Sequence, residues 1–290
     1  MKRLFLIFAL TLFGAAAWCQ SADKYSVKPS FKNDDIMLFD VLAEFRQEGA
    51  EVAQPAPAEP EKDKKSKKDK KSKKNKKEEE NPADELVLTE RPANFDLKYV
   101  LRFKFGSRKS EEKSMPVEIK ASKPEMIVAG ETLSMFGEAV MPTLTAVVKP
   151  DCSLGGLFGL RPEDKEVDNP GVVPSSLVMF FFCGGLEDGR ALDEEWTYER
   201  KLPEFNQLYK FKSKLLMVAD STVVVDSAVT LAKPVKDDEG KVTEIIAPYT
   251  VTSKCAYDAD DGQLRNATIV VKNKDEKPLT VTYKIPRQGQ

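Results

Sequence analysis

The sequence contains no histidine and only four cysteines among its 290 residues. Without histidine, Ser-His and Cys-His catalytic pairs and metal sites with imidazole ligands are excluded. The cysteines show no C-x-x-C spacing, so a zinc or redox motif of that type has no support. No phosphate-binding glycine loop and no Gly-x-Ser-x-Gly motif occurs. The common hydrolase and nucleotide-binding signatures are therefore missing, and no cofactor is expected.

Long apolar runs are also missing, and the one short run lies at the N-terminus. Lys2 and Arg3 precede the apolar stretch from Leu4 to Ala17, which ends in three alanines. A basic start, a short apolar region and small residues at a cleavage point are typical of a secretory signal peptide. We therefore predict a signal peptide over residues 1–21 and an exported protein that is periplasmic, on the cell surface or secreted. No transmembrane span is expected in the mature chain, because no later stretch reaches 18 apolar residues.

Cys19 lies beside the predicted cleavage region and is the candidate for lipidation. Trp18 precedes it, where lipoprotein signals place a small residue, and this argues against lipidation. The alternative is that Cys19 lies at the cut and has no role. Disulfides persist in the compartments that exported proteins enter. The sequence leaves open which cysteines pair there.

A charged tract with the sequence EKDKKSKKDKKSKKNKKEEE occupies residues 61–80. Residues 62–77 hold eleven lysines and no apolar side chain. Burial of apolar surface therefore cannot offset the cost of ordering them, about 1–2 kcal/mol per residue. The Pro-rich sequence QPAPAEP leads into the tract and favours an extended backbone. We predict a disordered Pro/Lys-rich linker over residues 52–84.

The lysines of this tract have two interpretations. They are either an arm that binds an envelope polyanion or a solvated spacer between folded parts. No aromatic residue is interleaved with the charge, which favours the spacer and leaves no strong case for nucleic acid. The candidate polyanion contacts are Lys64, Lys65, Lys67, Lys68, Lys70, Lys71, Lys73 and Lys74.

The segment before the linker, residues 22–51, contains a short amphipathic pattern. Leu38, Val41, Leu42 and Phe45 follow the spacing of one helix face. Asn33 or Asp34 could cap the helix and Gly49 could end it. We predict one short N-terminal helix from Asp35 to Glu48, docked on the rest of the chain, with a partner or membrane surface as the alternative.

Residues 85–290 alternate with a period of two and form the predicted β-rich body. Phe95 to Phe105 place apolar side chains at every odd position, which is typical of a half-buried strand. Leu177 to Cys183 are continuously apolar and predict a central strand buried on both faces. Further strands are predicted at 116–120, 143–149, 214–219, 222–232, 241–247, 249–257, 264–272 and 278–285, with a weak helical signal at 192–209. The fold class is mainly β, an antiparallel sandwich or barrel-like body, with a sub-boundary near 154–174 left open.

Two acidic groups are candidates for chemistry. Asp258, Asp260 and Asp261 suggest a calcium loop, but Gln263 and Ile269 occupy the positions where an EF-hand needs Gly and Glu, so a hairpin turn is favoured. The other group surrounds Trp196 and Tyr198. It comprises Asp188, Asp193, Glu194, Glu195 and Glu199, which a carboxylate-dependent hydrolase could use.

These features favour an exported, non-catalytic β-rich protein with a binding or structural role in the cell envelope or outside the cell. One alternative is a β protein that binds an apolar ligand such as a lipid, with Phe95 to Phe105 and Phe180 to Phe182 lining its interior. A second alternative is a hydrolase in which two carboxylates converge at about 5–9.5 Å.

Overall fold

The computed structural model describes residues 23–27, 30–50, 93–108, 114–134, 140–149, 154–159, 177–182, 184–202, 207–236 and 239–289. The predicted signal peptide and the predicted linker lie outside these residues. The strands are β1 (Lys24–Tyr25), β2 (Ile36–Gln47), β3 (Phe95–Phe105), β4 (Met115–Val128), β5 (Glu131–Ser134), β6 (Leu144–Val148), β7 (Leu154–Phe158), β8 (Arg190–Ala191), β9 (Glu195–Leu202), β10 (Gln207–Ala219), β11 (Thr222–Lys236), β12 (Val242–Ile246), β13 (Tyr249–Asp258), β14 (Leu264–Asn273) and β15 (Leu279–Pro286).

Thirteen strands form one large antiparallel sheet. Its main path runs β7-β6-β4-β3-β2-β15-β14-β13-β11-β10-β9, while β5 pairs with β4 and β12 pairs with β11. The sheet is not closed into a barrel: the terminal strands β7 and β9 come within 8 Å of each other but share no ladder. The mainly β, antiparallel fold class is confirmed.

Alternation along the strands decides which side chains fill the core. In β3 the odd positions Tyr99, Leu101, Phe103 and Phe105 are buried, and the even positions face outward. The same parity recurs in β11 and in β13 to β15. Because a sheet curves around one buried face, these inner side chains meet and form a single core.

The predicted helix from Asp35 to Glu48 is wrong, because this segment is the strand β2. Met37, Phe39, Val41, Ala43 and Phe45 are buried at alternate positions. The apolar residues of this segment therefore fit both a strand period of two and a helical period. Pairing with the long strands β3 and β15 favours the strand. β2 lies between β3 and β15, with Phe45 opposite both Phe95 and Val281.

The predicted central strand from Leu177 to Cys183 is also wrong. Val178–Phe180 form a 3₁₀ turn whose side chains are fully buried, and Phe182 makes an isolated bridge to Gln263. A continuously apolar run is buried on all sides in either conformation, so its composition does not distinguish a strand from a buried turn. The weak helical signal at 192–209 corresponds to β9 and the start of β10.

The aromatic residues that follow this turn pack against the buried side chains of the sheet. Phe181 packs edge-on against Phe39, with ring centroids 4.7 Å apart, and lies 4.5 Å from Phe103. Phe182 contacts Phe31, which stacks on Phe105. The aromatic residues of β3 and of the turn therefore pack on one another.

Candidate functional site

The sequence-predicted contacts Lys64, Lys65, Lys67, Lys68, Lys70, Lys71, Lys73 and Lys74 lie outside the described residues, as does Cys19. The two ends of the segment that carries the lysines are described. Residue 50 follows β2 and residue 93 precedes β3, and these strands are paired neighbours. The Gln47 N–H donates to Asn94 Oδ1 at 3.0 Å. The chain between residues 51 and 92 therefore starts and ends at the same end of one β-hairpin.

In the acidic group around Trp196 and Tyr198, three carboxylates are each paired with a basic side chain. Glu195 faces outward from β9 and pairs with Lys212 at 2.9 Å, whereas Trp196 faces the core. Asp193 pairs with Lys214 at 2.8 Å and Glu194 with Arg190 at 3.0 Å.

The pKa shifts of Glu194 and Glu195 also argue against a general acid in this group. Hydrogen bonds from the Ala191 backbone and from Arg190 lower the pKa of Glu194. The hydrogen bond from Lys212 lowers that of Glu195. A general acid needs a raised pKa, so both shifts run against that role.

Asp258, Asp260 and Asp261 form a turn, as the sequence favoured. Asp258 accepts hydrogen bonds from the Asp260 backbone at 2.9 Å and from Arg265 at 3.1 Å. Burial opposes ionisation of Asp258, but these bonds outweigh it and lower its pKa. Its carboxylate oxygens are thus used within the protein. Among the described residues, no group of three metal-ligating side chains is found.

A polar row that the sequence did not indicate crosses the inner face of β10, β11 and β13. Ser213 and Ser227 share a hydrogen bond of 2.7 Å, and Ser253 lies opposite Ser227. Cys255 is buried on the same face, and burial raises the pKa of its thiol to about 11. The thiol is therefore protonated at neutral pH and is a weak nucleophile.

A groove of about 400 Å³ crosses the outer face of β15, β2, β3 and β4. Its lining includes the apolar side chains of Leu42, Val100 and Pro286, the basic side chains of Lys98, Lys123 and Lys284, and the carboxylates of Asp40 and Glu125. The register explains this gathering, since Leu42 lies opposite both Lys98 and Lys284. Successive outward positions of neighbouring strands therefore meet there.

A β-bulge shapes one side of this groove. The pairing of β3 with β4 shifts between Lys98 and Val100, and Lys123 adopts φ = +51°. A positive φ is uncommon for a residue with a side chain, and bulges frequently redirect side chains beside functional sites. The other described non-glycine residues with a positive φ lie in turns or beside them, whereas Lys123 lies within a strand.

The charges of the groove are only partly neutralised. Lys284 pairs with Glu44 at 2.9 Å, and Asp40 accepts a hydrogen bond from Gln288 at 2.6 Å. Lys98 and Lys123 have no ion pair among the described residues. Asp40 and Glu125 line the same groove, and Glu125 lies opposite Lys98 in the register. The ammonium groups of Lys98 and Lys123 are not paired with these carboxylates and can therefore contact an anionic ligand. The sequence placed Lys98 on a strand, but it did not indicate the bulge or the register that bring Lys123 beside it.

No protein-family model matches the chain, and no curated protein matches it either. Within the described residues, no helix is both long and apolar enough to cross a membrane.

Proposed function

We propose that this chain is an exported, non-catalytic protein that binds an anionic polymer of the cell envelope or of its surroundings. The groove at the β4 bulge carries the proposal. It holds Lys98 and Lys123, which have no ion pair in the described chain, on the neighbouring strands β3 and β4 of the large sheet. The aromatic interior is filled by the protein's own side chains, which favours the outer face over an internal site for a lipid.

The position of the Lys-rich segment supports the same proposal. A spacer separates two folded parts, but the strands on either side of residues 51–92 pair directly with each other. Two residues are enough to connect such a pair. A connection of this length is therefore not needed to join them, which favours the binding arm over the spacer. The lysines then lie in the connection between the two strands that contribute Leu42 and Lys98 to the groove.

Salt-dependent retention on an immobilised polyanion tests the proposal. Each phosphate or carboxylate neutralised by a lysine adds to the steepness with which affinity falls with salt. We expect the mature protein to be retained on heparin and polyglutamate columns. Glutamine at the eight candidate lysines should lower the salt concentration needed for elution, and arginine at the same positions should leave it unchanged.

The groove is tested by a second pair of variants on the same columns. Lys98→Gln with Lys123→Gln should lower the elution salt further. Lys254→Gln with Lys272→Gln is the matched control, since both lysines face outward from β13 and β14, away from the groove. Elution of the wild-type and eight-glutamine proteins at the same salt concentration would remove the case for the arm. Equal effects of the two pairs would remove the case for the groove.

Export is tested separately by pulse labelling in cells. The proposal expects a precursor that is shortened by about 20 residues, the usual length of a signal peptide. It also expects the shortened form outside the cytoplasm. Retention of the full-length chain in the cytoplasm would contradict it.

A further inference from the structure

β12 extends beyond the main sheet as half of a two-stranded arm. It pairs with the last part of β11, from Ala232 to Lys236. β10 pairs with β11 only as far as Ala232, so the rest of the arm has no strand on that side in the described chain. On the other side β12 pairs with no described strand. β12 is therefore a free edge for residues 242–246.

The hydrogen-bonding pattern shows which backbone groups this edge offers. The Ala247 N–H donates to the Leu231 carbonyl at 3.0 Å, and these residues lie opposite each other in the register. In an antiparallel pair, bonded and non-bonded positions alternate. Ile245 and Thr243 therefore bond to β11, and the backbone groups of Val242, Glu244 and Ile246 point away from it.

Pro234 fits this assignment. It lies opposite Glu244, at a position where β11 donates no hydrogen bond to β12, so its missing N–H costs the ladder nothing. Proline at this position is therefore compatible with the arm, and the outward groups of β12 keep their full capacity to pair with another strand.

The side chains of this edge are unusually apolar for an exposed strand. Val242 is 59%, Ile245 50% and Ile246 47% exposed. Free edges are normally protected by charge, proline or a covering element. By comparison, β5 is short and carries Glu131, Thr132 and Ser134, and β9 lies close to β7. Apolar residues beside unpaired backbone groups indicate a site for strand addition.

We propose that β12 pairs edge to edge with β12 of a second copy of this chain, antiparallel and centred on Glu244. This register places Val242 opposite Ile246 of the other copy, on both sides of the centre. Thr243 lies opposite Ile245. Every opposed pair of Val242, Glu244 and Ile246 exchanges both of its backbone hydrogen bonds. A twofold axis through Glu244 fixes this register. In it, the outward backbone groups of residues 242–246 in one copy pair with those of the other copy.

The charge at the centre of this pairing is largely compensated within each chain. Two glutamates face each other at the centre, which would be unfavourable if they were uncompensated. Each Glu244 is already held by Lys210 of its own chain, with both carboxylate oxygens within 2.8 Å of the Lys210 ammonium. Across the dimer the order is then Lys210, Glu244, Glu244, Lys210, which has no net charge. This pairing depends on β10 and β12 and does not rest on the Lys-rich tract or the groove.

Disulfide trapping tests the register. In a hydrogen-bonded antiparallel pair the opposed Cα atoms are about 5.5 Å apart, within the range that a disulfide spans. Glu244→Cys should form a covalent dimer under mild oxidation. Thr243→Cys should not, because in this register it faces Ile245. The wild-type protein controls for its native thiols. Equal cross-linking of the two variants would overturn the proposal.

Sedimentation equilibrium tests the association itself. An edge of this size is small for an interface, so we expect a dissociation constant in the range of about 1–100 µM. Glu244→Pro should abolish dimerisation while the thermal transition is kept, because the N–H that it removes points away from β11. A wild-type protein that stays monomeric up to about 500 µM, or a dimer that persists in Glu244→Pro, would overturn the proposal.

Discussion

At the scale of single residues, Arg200 shows how a buried charge can serve the fold. Its guanidinium donates to the carbonyl oxygens of Met179, within the buried turn, and of Phe182, two residues after it. It also lies over the rings of Tyr198 and Phe211, at 5.5 and 5.7 Å from their centroids. It thus satisfies carbonyl groups that the turn leaves unpaired and holds the turn against β9.

We expect Arg200→Met to lower the free energy of unfolding by about 2–3 kcal/mol, because two buried carbonyls lose charged donors. Lys201→Met is the matched control, since Lys201 is the next residue and faces solvent. Its effect should stay within about 0.5 kcal/mol. Urea unfolding followed by tryptophan fluorescence measures both variants, and equal effects would show that Arg200 does not hold the turn.

At the scale of the element, β2 shows how two periods can coincide in one short sequence. Leu38, Val41, Leu42 and Phe45 fit a helix face, while the buried residues of β2 are all at odd positions from Met37 to Phe45. Val41 and Phe45 belong to both patterns. Phe39 decides between them, because it is off the helix face and yet fully buried.

Two neighbouring alanine variants separate the strand from the helix. Phe39→Ala should destabilise the protein by about 3–5 kcal/mol, the usual cost of removing a buried aromatic ring. Leu38→Ala should cost less than about 1 kcal/mol, because Leu38 faces outward. A helical segment with the predicted face would reverse this order. Denaturant unfolding of the two variants measures the difference.

At the scale of the whole molecule, the Lys-rich tract lies between two strands of the same sheet in the chain order. The sequence divided the chain into residues 22–51, a linker over 52–84 and a body over 85–290. The described structure places β2 in the same sheet as the strands of the body, between β3 and β15. The tract therefore connects neighbouring strands within one sheet.

Replacing residues 51–92 with a short Asn-Gly turn should keep the fold. We expect the free energy of unfolding to rise by about 1–2 kcal/mol, because a shorter loop costs less entropy to close. A chain that begins at residue 52 is the contrasting variant. It lacks β2 and leaves β3 and β15 without a shared neighbour, so it should show no cooperative unfolding. Cooperative thermal unfolding of this truncated chain by circular dichroism would contradict the assignment.

Much of the fold was predictable where the pattern was unambiguous. β3 begins and ends at the predicted residues, and the predicted strands from 222 to 285 correspond to β11 to β15 with shifts at their ends. The groove was not predictable. Its charges come from Lys98, Lys123 and Lys284, which are far apart in the sequence, and no local pattern encodes the register or the bulge that brings them together.

By itself the sequence determined the period of most strands, the side of each strand that is apolar and the charge of the tract, because each of these depends on neighbours within a few residues. Only the tertiary structure decided that Ile36–Gln47 is a strand, that Val178–Phe180 is a buried turn and that β2 pairs with β15. The physical reason is that these choices depend on contacts across more than a hundred residues. There the packing of one shared core outweighs the local preferences of any single segment.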